Sequence, residues 1–595
     1  MQFFSMFSLW SHTSDTTDFL NRYSKSYGVV IIFSVLLLVF WVVCLFAHCR
    51  MEAIVSRIPL RWYLVCVLVA TLAMLVQWVL PIEPSIKVYL ATNYLLMVVV
   101  SVLLRPDLLI VSRRWQTALV LVCVLMLVPM VITNLAERRF TPDEGHWADY
   151  ASSSFLAGGV YARTWLQEPV VIMPGLGWSV AGYGWALENI AFDLHVGRIW
   201  NLAFYLLAFA GIAALTFRLY GRDAVIVTTA FAVLSGSFIP SWDYRPDHQL
   251  PFASTLVFFA VVQARRSSRN AAYWHFACGL LATLALQLHA AAIVFATGCA
   301  LVYLVETVSN LYRRRKLDVF WPLIWFGVGA FIGTATYFVL NIYPVGGLDR
   351  FLDLLTTTRE YLPDRLRYLG WVSLPEALVI ASAFAYIIWR RNAADRLFLG
   401  FLSAVLLSVL CFDTQGYQTH HNALYVIPVG VLIVDGLNRF KSVQQHGLRN
   451  VLITLSITAL LVGQASGTFI NWSAVGDLFR TGSLPPFLYT SLQPILAPYV
   501  KDDDVVVSTH QLVWTLPDHL HLVSFAAEET AMKRWNLTDP SDVWRRVQPT
   551  LIVEIENEMH FNEGLQTYLQ EYDFQICETL EVLDRAVRLY RTSCS

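Results

Sequence analysis

The stretch Phe140-Thr-Pro-Asp-Glu-Gly-His-Trp-Ala-Asp-Tyr150 sets two carboxylates, Asp143 and Glu144, side by side after a long apolar run. A carboxylate fixed at a membrane edge suits general-base work, taking the proton of an attacking hydroxyl. The same residues suit a helix start, because Asp near an N-terminus complements the helix dipole. A helix over 143–158 is therefore expected, and it would hold such a base rigidly.

Other residues are fit for chemistry nearby. Ser241-Trp-Asp-Tyr-Arg-Pro-Asp-His-Gln249 crowds Asp243, Arg245, Asp247 and His248 into a very short loop between apolar spans. Ionisable groups at the end of a span are functional candidates. Mg2+ or Mn2+ could bind between Asp243, Asp247 and a phosphate, although no spacing compels a metal. Trp242 and Tyr244 equally fit interfacial anchoring. Asp413-Thr-Gln-Gly-Tyr-Gln-Thr-His-His-Asn422 offers His420 and His421 to phosphate or sugar oxygens, or forms a plain polar loop. Gln287 and His289 interrupt an apolar run, and an intramembrane His faces protein or a water-filled cavity. Arg198 opens a span, where it either meets a phosphate or snorkels. Arg163, Arg359 and Arg365 are further cations for an anionic headgroup.

The elements that position these residues are membrane spans. Of 595 residues, 56% are hydrophobic and 14% charged, and mean hydropathy is +0.54. That is too little charge for a soluble surface. Apolar runs fall near 28–48, 62–80, 87–104, 116–135, 197–219, 223–240, 249–264, 272–289, 290–310, 319–341, 372–389, 397–412, 421–438 and 450–470. They imply about fourteen transmembrane helices, with a break at Gln287. The fold class is a polytopic α-helical membrane protein with a small C-terminal extracytoplasmic α/β domain.

Basic residues recur in alternate loops: Arg57 and Arg61; Arg113 and Arg114; Arg265, Arg266 and Arg269; Arg313 to Lys316; Arg390, Arg391 and Arg396; Arg439, Lys441 and Arg449. Such loops stay cytoplasmic. Both termini, the loops 136–196, 240–248 and 342–371, and the tail from 471 are then outside. The first apolar run begins near Val29, too late and too long for a cleavable signal. The net charge of −1 is uninformative about partners, and no nucleic acid is expected.

Three divisions follow: 1–115, 116–470 and 471–595. In the last, Val505–Ser508, Leu551–Ile555 and Ala586–Tyr590 read as strands. Ser541–Val547 and Asn562–Glu571 read as helices, the first started by Asp539-Pro540. This domain covers the membrane site, contacts acceptor, or serves packing alone. None of the nine cysteines has metal-ligand spacing. Cys66, Cys123, Cys278 and Cys299 lie in apolar spans, whereas Cys577 and Cys594 could pair in an oxidising compartment.

Asp143-Glu-Gly-His-Trp-Ala-Asp-Tyr-Ala followed by Gly158-Gly-Val-Tyr161 resembles the first outer loop of the GT-C superfamily of glycosyltransferases. The nearest branch holds protein O-mannosyltransferases and lipid A aminoarabinose transferases. Gly197-Arg-Ile-Trp-Asn-Leu, Leu219-Tyr-Gly-Arg-Asp223 and Arg245-Pro-Asp247 are similar to later family motifs in the same order. The resemblance covers roughly 115–310. The family often has Lys-Gly where Gln287-Leu-His289 stands, and one span where three precede the run that leads to Asp143.

The resemblance implies a polyprenyl-phosphate-sugar donor and one inverting displacement onto a hydroxyl of an extracytoplasmic glycan, lipid or protein. The setting would be the cytoplasmic (inner) membrane, with membrane lipid around the site. Asp143 would be the base. Glu144 and Asp247 would orient acceptor or metal. Arg198, Arg245, His248, His289, His420 and His421 would meet the donor phosphate or sugar. No nucleotide-binding fingerprint appears. An O-antigen polymerase or ligase would lean on outer Arg and His residues instead. A transporter or flippase would show repeats and charge at the bilayer centre.

Overall fold

The computed structural model describes residues 143–157, 162–166, 177–222, 244–267, 269–289, 292–352, 487–556, 561–583 and 585–594, with isolated residues elsewhere. Asp243, Arg359, Arg365, His420 and His421 lie outside the described residues. So do nearly all of the spans expected before 136 and after 371.

Two helices precede the first described span: α1 (Asp143–Ala157) and α2 (Gly177–Asn189). A 3-10 turn, Arg163–Trp165, lies between them. Then come α3 (Leu194–Tyr220), α4 (Leu250–Arg266), α5 (Ala271–Leu284), α6 (Ile293–Arg314) and α7 (Trp321–Tyr337). Among the described residues, Leu194–Tyr220, Ile293–Arg314 and Leu317–Val345 are long and apolar enough to cross a membrane. Large apolar side chains such as Val305, Val308 and Phe331 are exposed on them. In a bilayer these would face lipid, whose tails are as apolar as they are.

Helices α5 and α7 touch backbone to backbone. A Cβ at Gly279 would stand 2.0 Å from the Phe326 carbonyl oxygen, and one at Gly329 would stand 2.1 Å from that of Phe276. Small residues drive such packing where hydrophobicity cannot. Beyond this contact both helices lose regularity. The α5 end passes into a 3-10 turn, Ala285–Gln287, before α6 begins at Ile293. The α7 end widens into a π turn, Phe338–Ile342. The break at Gln287 expected from the sequence is thus present.

The C-terminal part is an α/β unit. It contains α8 (Leu488–Leu496), α9 (Ala527–Trp535), α10 (Ser541–Val547) and α11 (Glu563–Glu571). Its sheet joins β1 (Val506–Ser508), β2 (Leu522–Ser524), β3 (Leu551–Ile555), β4 (Gln575–Val582) and β5 (Arg585–Arg591) in the order β2-β1-β3-β5-β4. The β2, β1 and β3 strands run parallel, and β5 and β4 extend them antiparallel. Cys577 and Cys594 form a disulfide that ties β4 to the chain end. The α8, β2 and β4 elements and the α2 helix were not expected from the sequence.

One apolar core runs from the 143–189 helices into this unit. Trp147, Tyr150 and Tyr183 share it with Leu512, Trp514, Leu551 and Leu589.

Candidate active site

The α1 helix begins at Asp143 as expected, but it is no solvated surface turn. Every residue from 144 to 153 is buried, between α2 on one side and the 3-10 segment His510–Trp514 of the C-terminal unit on another. Buried polar groups of this kind need partners, and the helix supplies them from distant segments.

Glu144 is 1% exposed and Arg198 is 2% exposed. Arg198 Nε donates to Glu144 Oε1 at 2.8 Å and Nη2 to Oε2 at 2.9 Å. This two-point, charge-assisted geometry fixes orientation as well as charge. Arg198 therefore does not snorkel. It stands in the first turns of α3, whose N-terminus is capped by Asp193 accepting from His195 N at 2.7 Å. Gly197 makes the approach possible, since a Cβ there would stand 2.6 Å from the Tyr183 hydroxyl. Tyr183 stacks on Tyr244, their ring centroids 3.7 Å apart. Tyr244 is buried in this stack, not anchored at an interface. Burial, then the nearby Tyr244 and the Glu144 charge, push the Tyr183 phenol well above its ordinary value.

The next acidic residue of the helix is locked differently. Asp149 is fully buried and accepts from Arg163 Nε at 2.9 Å, Thr164 N at 2.9 Å, Thr164 Oγ1 at 2.7 Å and Ser153 Oγ at 3.0 Å. Arg163 Nη1 in turn donates to the carbonyl oxygens of Pro517 and His519. Arg163 is 7% exposed, so its assignment to a lipid headgroup is corrected: it fastens α1 to the C-terminal unit.

Two more contacts close the same seam. Gly145 N donates to Gln511 Oε1 at 3.0 Å. The His146 ring lies 5.9 Å from that of His510. Burial, then the His510 charge, hold His146 down at about 3 against a partial opposing pull from Asp149.

The remaining sequence candidates spread around this centre. Arg245 is half-buried, and the backbone of Asp247 and His248 lies in the 3-10 turn Pro246–Gln249 packed against α3. His289 is 8% exposed at the α5–α6 break. Beside it Asn341, on the π turn, donates to Gln287 Oε1 at 2.8 Å. The break touches α2, and Tyr337, just before the π turn, is close enough to Tyr150 of α1 to raise its phenol after burial has done so. Among the described residues no three His, Cys, Asp or Glu side chains gather as metal ligands.

Sequence reasoning missed Gln511, the Tyr183–Tyr244 stack and Asn341. A lone Gln in another domain carries no local signal. The glycines around Tyr183 were the available hint, since they mark close approach.

The fold of the chain is similar to that of ArnT from Cupriavidus metallidurans. The apo structure of that protein matches with a TM-score of 0.53 at 15% identity, covering 80% of this chain and 98% of that one. Its structure bound to undecaprenyl phosphate gives 0.51 at 14% identity, covering 82% and 99%. No family model and no curated protein matches the sequence.

Proposed function

We propose that this protein is an inverting glycosyltransferase. It moves a sugar from a polyprenyl-phosphate-sugar donor to a hydroxyl of an extracytoplasmic glycan, lipid or protein. The observation that carries the reading is the buried two-point ion pair of Glu144 with Arg198, which fixes the first turn of the helix that carries Asp143, the base of this reading. The shared fold with a protein solved on undecaprenyl phosphate supports a lipid-phosphate donor.

In this mechanism the acceptor oxygen attacks the anomeric carbon while the Asp143 carboxylate takes its proton. The bond from that carbon to the phosphate oxygen breaks, its electrons leave with the lipid phosphate, and the anomeric centre inverts. Arg245, His248 and His289 are the candidate partners of the phosphate, with His420 and His421, where negative charge grows. Asp247 orients the acceptor. Mg2+ or Mn2+ held by Asp243 and Asp247 would add charge stabilisation; no step above depends on it. Arg198 donates twice to Glu144 and remains a candidate partner of the phosphate in this reading.

The site lies on the periplasmic or extracellular side of the cytoplasmic membrane. The helices α4 and α6 end on Arg265, Arg266, Arg313 and Arg314, and basic ends stay inside. The Cys577–Cys594 disulfide fits an oxidising compartment for the C-terminal unit.

The test compares cell-envelope glycans, lipids and glycoproteins by mass spectrometry in cells with wild type, Asp143→Asn or no protein. One sugar is expected to be missing from both the null and Asp143→Asn cells, with the variant present at wild-type level. An Asp143→Asn strain with a wild-type envelope overturns the reading.

A further inference from the structure

The geometry points to Gln511 as a positioning residue: the C-terminal unit uses it to cap and aim the first turn of the helix that carries Asp143. This rests on the transferase reading above.

A helix leaves its first backbone N–H groups without intrahelical partners. They are usually met by a Ser, Thr, Asp or Asn side chain just before the helix. At α1 an oxygen for one of these N–H groups comes from a residue 366 positions away, as Gly145 N donates to Gln511 Oε1 at 3.0 Å. The fit is tight. A Cβ on Gly145 would stand 2.5 Å from Gln511 Oε1, 2.7 Å from Gln511 Cα and 2.8 Å from the His510 carbonyl oxygen. The contact is buried, with Gln511 itself 3% exposed.

Fastening alone does not require this residue. Arg163 already ties α1 to the Pro517 and His519 carbonyls, and an apolar core spans the same seam. Those contacts grip the helix around Asp149, whereas Gln511 grips it two residues from Asp143. The ionisable groups near the turn among the described residues include Glu144 and Arg198, His146 and Asp149 on the same helix, and His510 beside Gln511. A neutral amide caps the N–H without adding a further charge next to the base.

The test uses full-length Gln511→Leu and Gln511→Glu in a null strain, beside wild type and Asp143→Asn. The readouts are the initial rate at which the missing sugar appears in the envelope, amide hydrogen exchange across α1, and binding of undecaprenyl phosphate to purified protein. Gln511→Leu is expected to slow transfer about ten- to a hundredfold, the scale on which a misplacement of ~1 Å acts. It should speed exchange at the first turn but not at 151–157, and leave lipid binding at the wild-type level. Gln511→Glu keeps the cap and adds a carboxylate beside the base, so transfer is retained while the acid limb of its pH profile moves upward.

If Gln511→Leu transfers at the wild-type rate, or loses rate only in proportion to folded protein, the positioning role is overturned. If Gln511→Glu is as slow as Gln511→Leu with an unshifted pH limb, it is overturned as well. An active Asp143→Asn would instead overturn the transferase reading.

Discussion

Arg198 and Arg545 both hold carboxylates, and their settings are opposite. Arg198 and Glu144 are 2% and 1% exposed and lie 54 positions apart, on different helices. Arg545 is 35% exposed and meets Asp542 and Glu571, 42% and 41% exposed, on the outside of the C-terminal unit. The first pair has given up its hydration, which its mutual attraction only partly repays. The second keeps its water and is screened by salt. Among the described residues, the buried pairs Arg198–Glu144 and Arg163–Asp149 both hold α1 in place. On its surface the chain uses charge loosely.

The sharpest way to break this contrast is to remove one buried partner. Arg198→Met removes the buried counter-charge of Glu144, and the expected loss is about 3–5 kcal/mol of stability. Little folded protein should reach the membrane, as read by fluorescence-detected gel filtration. The double variant Glu144→Leu/Arg198→Met should recover most of the folded yield, because apolar replacement of both partners is often neutral. It should not recover transfer if the pair aims Asp143. Full folding of the single variant would sink the claim that this pair is dry.

Next in size is Gly145→Ala. The added methyl has no room against Gln511 and His510, so α1 and the C-terminal unit must separate there. Overpacking of this kind costs about 1–3 kcal/mol. Limited proteolysis between 471 and 595 should cut the variant faster than wild type. Unchanged cleavage would mean that the seam is slack.

His146 adds a pH dependence to the same seam. Its imidazole sits at about 3 in the folded protein, against about 6.5 when unfolded. Between these values only the unfolded chain binds the proton, so stability rises with pH. It is fully present above about 6.5 and falls by up to about 1.4 kcal/mol per pH unit below that. His146→Phe should flatten the thermal midpoint against pH in that window. An equally steep profile in the variant would move the effect to other groups.

How much was legible in the sequence follows from the range of each signal. The α1 start, the Gln287 break, β3 and α10 were readable because their causes are local. Asp539, ahead of the Pro540 N-cap, accepts from Ser541 N at 2.9 Å, and β3 is a short apolar run, Leu551-Ile-Val-Glu-Ile555, rich in β-branched residues. The α2 helix was not readable. Its sequence Gly177–Asn189 holds glycines that disfavour an isolated helix, yet Gly184 is required because a Cβ would stand 2.2 Å from the Ala151 carbonyl oxygen. The acidic pair was readable as a candidate, but the buried partner of Glu144 was not. Nothing local says that Glu144 would meet an arginine across 54 positions, or that Asp149 would recruit Arg163 and, through it, a carbonyl 354 positions from that arginine.

The smallest effect belongs to the surface cluster, and it decides whether burial or mere ion pairing explains the rest. Arg545 is as closely held by carboxylates as Arg198, with Nη1 at 2.6 Å from Asp542 and Nη2 at 2.6 Å from Glu571. If contact distance alone governed stability, Arg545→Ala would be as damaging as Arg198→Met. Burial governs in the account above, because exposed groups regain water when a partner leaves. Arg545→Ala is therefore expected to keep wild-type folded yield, thermal midpoint and envelope sugar, with any residual shift shrinking as salt is added. A loss approaching that of Arg198→Met, and insensitive to salt, would show that the C-terminal unit depends on its surface charges as α1 depends on its buried ones.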